Sequence, residues 1–389
     1  MSSGESNQSI VARRLQFTLT PGLGPILTRR ILTRFGPDTE PRRLTRADLA
    51  TIRGIGPDTA SHLVAELQDA PRRVDEELQR AQAAEVRILH DGDDAYPALL
   101  QDLPDAPLLL YVRGQLTPDT GTAYPVAIVG SRRCTPYGTT QARRFAGSLA
   151  GAGLTIVSGG ARGIDTAAHH AAAQAGGHTI AVLGCGLDRC YPPENRDLFD
   201  AIVEADGAIV SELPMTTRPA PENFPARNRI IAGMSLGVLV VEAPGRSGAL
   251  ITARIATEAY GREVFAIPGR IDTAQSSGTN GLIREGGASA VLSPTNVTED
   301  LEAAAVHVHR GTHAARFAPA PSPSSPAAPA DLSELERRLL EVLQTPRTLD
   351  QLLTEAGCTP EFALPALTGL ELRRLIAREG SQLHASVSL

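Results

Sequence analysis

The sequence predicts an α/β protein with a Rossmann-like, doubly wound and mostly parallel sheet, and two observations predict it. From about Pro125 to Ser293, short apolar runs alternate with helical stretches: "VAIVG", "TIVSGG", "TIAVLG", "AIVSE", "GVLVVEA" and "EVFAIPG". That alternation is the pattern of βαβ units, whose parallel strands are buried on both faces. Many of these runs break at a glycine or a small polar turn, where open parallel sheets receive their ligands.

The remaining zones follow from texture. Residues 1–70 read as a helical domain of helix-hairpin-helix or SAM-like type, because G-[LI]-G-P stands before an amphipathic helix in both "LTPGLGPILTRRILTRFG" and "LATIRGIGPDTASHLVAEL". Such hairpins expose backbone N–H groups to phosphates, but a small bundle packed on its neighbour explains them equally well. Residues 71–124 read as a connector strapped over the next domain, and 125–293 as the Rossmann-like domain. Residues 294–330 read as a linker, extended where "FAPAPSPSSPAAPA" cannot bury a core. Residues 331–389 have winged-helix patterning: three short amphipathic helices and an extended end.

Composition narrows the function. The 389 residues carry a net charge of −6, which argues against a surface uniformly basic for duplex binding and leaves room for a local patch. Lysine is absent, so all 37 basic residues are arginine. No apolar run is long enough to span a membrane and the polar N-terminus has no signal-peptide pattern, so a cytoplasmic protein is expected. Cys134, Cys185, Cys190 and Cys358 form no CxxC pair, which predicts reduced, structural thiols and no metal site.

Strand-end turns carry the chemistry. In "GSRR", Gly130 lets the backbone approach a ligand, Ser131 offers a hydroxyl, and Arg132 can fork onto phosphate oxygens, with Arg133 beside it. In "SGGARGIDTAAHHAA", Gly159, Gly160, Arg162 and Gly163 precede a helix and form an anion cradle, with Asp165 read as the helix N-cap. His169 and His170 are adjacent and face different sides of that helix, so they do not form a metal pair. In "NFPARNRIIAG", Phe224 lies beside Arg227, Asn228 and Arg229, an aromatic face among guanidinium groups able to stack a base and hold its phosphate. In "EAPGRSGALITARIATEAYGREVFAIPG", Ser247 and Gly248 belong to a further small-residue loop. No nucleophile–base pair, Walker lysine or GxGxxG is present, so no catalytic residues and no cofactor are expected.

Taken together, "VAIVGSRR", "VSGGARGIDTAAH", "AVLGCGLDRCYPPEN", "FPARNRIIAG" and "SGALITARIATEAYGREVFAIPG" resemble the DNA-processing protein A family (DprA, also called Smf) over about Asp91 to Ser293. The resemblance implies a non-enzymatic recombination mediator in natural transformation and DNA repair. It would bind and protect incoming single-stranded DNA and load a RecA-type recombinase, helping displace single-strand-binding protein. It further implies a homodimer through the Rossmann-like domain. Carried over by motif, Gly130, Ser131 and Arg132 would hold a phosphate, the Gly159–Gly163 loop would line the pocket, and Phe224 would contact a base. Arg227 and Arg229 would complete the positive wall. Where the family often has lysines near the pocket this chain has Pro193 and Pro221, with Arg189, Arg196 or Arg218 as substitutes. Duplex contact by the terminal domains stays open.

The rival readings are a Rossmann-like nucleotide phosphoribohydrolase and a nucleotide-binding regulatory module. The hydrolases are similar in "SGGxxG" and in a PGGxGTxxE loop carrying a catalytic glutamate. Here that loop runs from Pro244 to Ala249, and Thr252 stands where the glutamate would be.

Overall fold

The structure, a computed structural model, describes residues 7–101, 103–116, 124–308, 332–343 and 347–360, and beyond them 363, 366–367, 370, 373, 375–379 and 382–385. Contacts divide it into two units, Met1–His309 and Arg310–Leu389.

The first unit begins with helices α1 (Asn7–Thr18), α2 (Pro25–Phe35), α3 (Arg46–Ala50) and α4 (Pro57–Ala83). Both hairpin motifs fold alike: Gly22 and Gly54 take φ of +85° and +99°, and Gly24 and Gly56 are N-caps with proline in the first turn. The left-handed glycine sharpens the turn and the proline pre-sets the helix that follows. Leu23, Ile31, Ile55, Leu63 and Leu67 form the core of this layer. The boundary expected at residue 70 falls inside α4, which stays regular through Pro71 and buries Val74 and Ala81.

The central sheet has nine strands: β1 (Val86–His90), β2 (Leu109–Gly114), β3 (Pro125–Val129), β4 (Thr155–Ser158), β5 (Thr179–Val182), β6 (Ala208–Ser211), β7 (Gly237–Val240), β8 (Glu263–Ala266) and β9 (Ser289–Ala290). Its order is β1-β2-β6-β5-β4-β3-β7-β8-β9. All the expected strands, β3 to β8, are present and parallel. The connector is more than a strap, because β1 and β2 form an antiparallel pair that extends the sheet through β6. Side chains alternate between the two faces: Val126 and Ile128 join one core cluster, Ala127 and Val129 the other.

Besides the short α5 (Ala98–Gln101) before β2 and α8 (Arg196–Glu204) before β6, helices α6 (Pro136–Gly151) and α7 (Ile164–Gln174) cover one face, while α9 (Asn223–Gly233) and α10 (Gly248–Arg254) cover the other. The helix Pro294–Val308 occupies the start of the expected linker. Val297 and Leu301, one turn apart, are buried against the sheet, and this burial carries the domain past residue 293. The proline-rich stretch 317–330 lies outside the described residues.

The second unit contains helices Glu334–Val342 and Leu349–Ala356, each opened by a capping box, and a three-stranded sheet of Arg347–Thr348, Ile376–Glu379 and Gln382–Ala385. Leu339, Leu340, Leu352, Leu370 and Ile376 make its core. Much of the expected third helix lies outside the described residues.

Candidate functional site

The chain runs outward from β3 through β4 and β5 to β6, then returns to β7 on the other side of β3. Strand order therefore reverses between β3 and β7, and a crevice is expected beyond their carboxyl ends. Here the polypeptide itself closes that crevice. Ser131 donates its N–H to the Glu242 carbonyl at 2.7 Å. The buried Glu242 carboxylate accepts from the Thr135 N–H and hydroxyl, both at 2.7 Å. A Cβ on Gly138 would stand 2.5 Å from that carboxylate, and one on Gly130 would stand 2.5 Å from Ile164. These glycines thus allow close packing of the turns over the switch point.

The opening lies over β4 and β5 instead. The loop after β4 folds back on α7, whose N-cap is Gly163 at φ +80°. Asp165 is not the N-cap expected from sequence. It sits buried in the first turn, and its Oδ2 accepts from the N–H groups of Gly159 (3.1 Å) and Ala161 (3.3 Å). An internal carboxylate thus takes loop donors that the sequence offered to an external anion. Burial raises the Asp165 carboxyl to about 6, an effect that the Arg227 charge and the loop N–H groups oppose.

Arg227 is itself 5% exposed. Its guanidinium donates to the Gly159 carbonyl at 2.6 Å and to the Val182 carbonyl. Burial lowers its pKa to about 10, with Asp165 opposing and Arg132 reinforcing the shift. Arg227 therefore locks the carboxyl ends of β4 and β5 to α9 and lends the floor a positive charge.

Above this floor is a small cleft lined by Arg132, Gly159, Arg162, Tyr191, Phe224 and Arg227. The exposed Arg132 guanidinium lies over the Phe224 ring, 4.9 Å from its centroid. Tyr191 tilts against the same ring, with centroids 5.5 Å apart and planes at 35°. A Cβ on Gly184 would approach Phe224 to 2.9 Å, so that glycine makes room for the ring. Arg162, also exposed, forms an ion pair with Glu194 of the "YPPEN" segment.

The other expected residues sit around the cleft or away from it. Ser131 is buried, and its Oγ accepts from the Arg133 N–H at 3.1 Å, which shapes the turn. The Arg133 side chain is exposed, and its carbonyl accepts from Gln275 at 3.1 Å. Gly160 takes φ +61° against the Phe199 ring, and a Cβ on Gly163 would overlap the Ser131 carbonyl. Asn228 donates to the Gly248 carbonyl at 3.2 Å, and Ser247 caps α10. Arg229 does not join the positive wall. Two residues along α9 from Arg227, it points to the other side, paired with Glu212 and donating to the Asp105 carbonyl at 2.5 Å. Tyr191 and Glu242 are not among the residues expected from sequence, although both lie in segments already singled out.

Fold and site define a class: doubly wound α/β proteins whose strand-end loops form a basic cleft floored by glycine and walled by aromatic rings. Within it, the model of the family described as DNA recombination-mediator protein A matches residues 87–302, and that of the DprA winged helix domain matches 323–381. The chain is 39% identical over 292 residues to Protein Smf of Synechocystis, covering 74% of this chain and 72% of that one. It is 48% identical over 210 residues to DNA processing protein DprA of Streptococcus pneumoniae, covering 54% and 72%. The X-ray structure of the Streptococcus pneumoniae DprA matches with TM-score 0.64 at 38% identity, over 76% of this chain and 98% of that one. The structure of DNA processing protein A from Helicobacter pylori, described for its single-stranded DNA binding mode, matches with TM-score 0.50 at 33% identity, over 56% and 95%. The chain belongs to the DNA recombination-mediator protein A family, a family of recombination mediators rather than enzymes. No described helix is long and apolar enough to cross a membrane.

Proposed function

We propose that this recombination mediator holds single-stranded DNA across the cleft over β4 and β5, without reading its sequence. The observation that carries this is the Arg132 guanidinium above the Phe224 ring. A charge that can take a phosphate and a ring that can take a base face stand in one place, which is what sequence-tolerant strand binding needs. Gly159, Arg162 and Tyr191 complete the contact surface, and Arg227 acts from below as fixed positive charge. Gly130, Ser131, Gly160 and Gly163 hold the turns in place, while Arg133, Asn228, Ser247 and Gly248 flank the path of the strand.

The same reading takes the strand to be DNA arriving during natural transformation or exposed in repair. The protein would act in the cytoplasm as a homodimer through its Rossmann-like domain, pass the strand to a RecA-type recombinase, and help displace single-strand-binding protein. Against the phosphoribohydrolase reading, Thr252 at the glutamate position is buried on α10, with its hydroxyl directed at the Gly248 carbonyl.

The test is fluorescence anisotropy with labelled oligo-dT at increasing salt. Affinity should fall linearly on a log–log plot as neutralised phosphates release counterions. An affinity indifferent to salt, or release of free base from nucleoside monophosphates, would overturn the proposal.

A further inference from the structure

A wide groove of the first unit lies on the far side of α9 from the Arg132–Phe224 cleft. It has a volume of about 890 Å³ and lies between α2, the segment leading into β2, and the loop after β6. Ala226 and Arg229 of α9 reach its wall, whereas Phe224 and Arg227 of the same helix line the strand cleft.

The groove floor is aliphatic. Leu23, Leu108 and Leu213 line it, and Ile26, 65% exposed, stands at its edge. Its acids are already engaged: Glu212 is paired with Arg229, and Asp105 accepts from the Tyr260 hydroxyl at 2.7 Å. The α2 rim is cationic and unneutralised. Arg29 and Arg30 donate to the Ala106 and Arg53 carbonyls, both at 2.6 Å, and Arg34 lies 5.7 Å from the centre of the Phe35 ring. Among the described residues, no carboxylate forms an ion pair with any of the three.

From this charge pattern and lining we infer that the groove docks an acidic peptide segment of a partner protein, seating aliphatic side chains on the floor and carboxylates against Arg29, Arg30 and Arg34. The lining contains no aromatic ring, since Phe35 beside Arg34 is not part of it, so a nucleic acid in the groove would find phosphate partners but no face on which to stack a base. A peptide needs no such face, and a groove of this size holds several side chains. The rim arginines supply the forked donors that carboxylates favour. The site stands apart from the strand cleft, and its occupation is independent of the reading of that cleft.

The test uses the full chain and a fluorescein-labelled peptide, Asp-Glu-Leu-Asp-Asp-Ile-Glu-Leu, read by anisotropy. Saturable binding is expected. Arg34→Glu should weaken it roughly ten- to hundredfold, the equivalent of one lost charge-assisted contact. Ile26→Ser should weaken it as well, and a control peptide with serine for each leucine and isoleucine should not bind. Oligo-dT affinity should be unchanged in both variants, which also reports that they are folded. Equal binding of the serine peptide, indifference to both substitutions, or displacement of the labelled peptide by oligo-dT would overturn the inference. The last outcome would assign the groove to nucleic acid.

Discussion

Arg132, in the turn after β3, and Phe224, at the start of α9, are far apart in the chain, yet the guanidinium of one rests 4.9 Å from the ring centre of the other. The GSRR turn is held to the Glu242 carbonyl through the Ser131 N–H and the Phe224 ring is admitted by Gly184, so the backbone behind both partners is preorganised. Preorganised partners bind at lower entropic cost than free side chains.

This pairing predicts a specific mutational pattern in oligo-dT binding. Arg132→Ala should cost about 1.5–3 kcal/mol as a lost charge-assisted contact. Phe224→Ala should cost about 1–3 kcal/mol as lost stacking. Because the two groups touch, the double variant should lose less than the sum, by about 0.5–1 kcal/mol. Arg229→Ala should behave differently. It leaves Glu212 unpaired and should destabilise the fold by about 3–5 kcal/mol, while the folded protein binds normally. Thermal melts beside binding isotherms separate the two classes, and strict additivity of the first pair would argue against their sharing one strand.

The Arg227 charge acting on the buried Asp165 carboxyl predicts a pH dependence. Burial raises the folded Asp165 carboxyl from its ordinary 3.8 to about 6. An acid shifted upward binds more protons folded than unfolded. Its contribution to stability is therefore full below 3.8 and is lost as pH rises through about 6. Protonation also removes the counter-charge of Arg227, so the cleft becomes more positive as pH falls. Oligo-dT affinity should tighten between about pH 7.5 and about pH 5.5 at fixed salt. Asp165→Asn keeps an acceptor for the Gly159 and Ala161 N–H groups, and should bind tightly with a flattened pH profile. A profile as steep as that of the unsubstituted protein would place the titrating group elsewhere.

What the sequence revealed and what it concealed divide along the range of the interactions. The strands β3 to β8 were legible because their burial is written in contiguous apolar residues, and the two hairpins because each glycine and proline acts within its own turn. The addition of β1 and β2 to the sheet was not legible, since it depends on pairing Tyr111 with Ser211 across the chain. Arg132, Phe224 and Arg162, singled out from their neighbours in the sequence, do line one cleft. The parts played by Arg227 and Arg229 were not, because two positions on one helix turn face opposite ways and only tertiary packing decides which meets the cleft. Asp165 misled for a related reason: an acid near a helix start usually caps it, but here its carboxylate reaches back to the preceding loop.

The glycines of the site divide into those the fold requires and those it does not. Gly163 has φ +80°, and a Cβ there would overlap the Ser131 carbonyl that receives the Ile164 N–H at 3.3 Å. Gly163→Ala should therefore lower stability by at least about 1–2 kcal/mol, since the conformation alone costs that much. Displacing Ser131 also moves Arg132, so oligo-dT affinity should fall with it. Gly248 has an ordinary φ and nothing within 4 Å of its would-be Cβ. Gly248→Ala should melt as the parent does, because alanine is at least as good a residue inside the first turn of α10. If the strand passes over the start of α10, the new methyl will still weaken binding, by steric contact alone. Paired melts and anisotropy on these two variants therefore measure how far the strand extends beyond the Arg132–Phe224 cleft: loss of affinity in Gly248→Ala at unchanged stability places it over α10, and unchanged affinity confines it to β4 and β5.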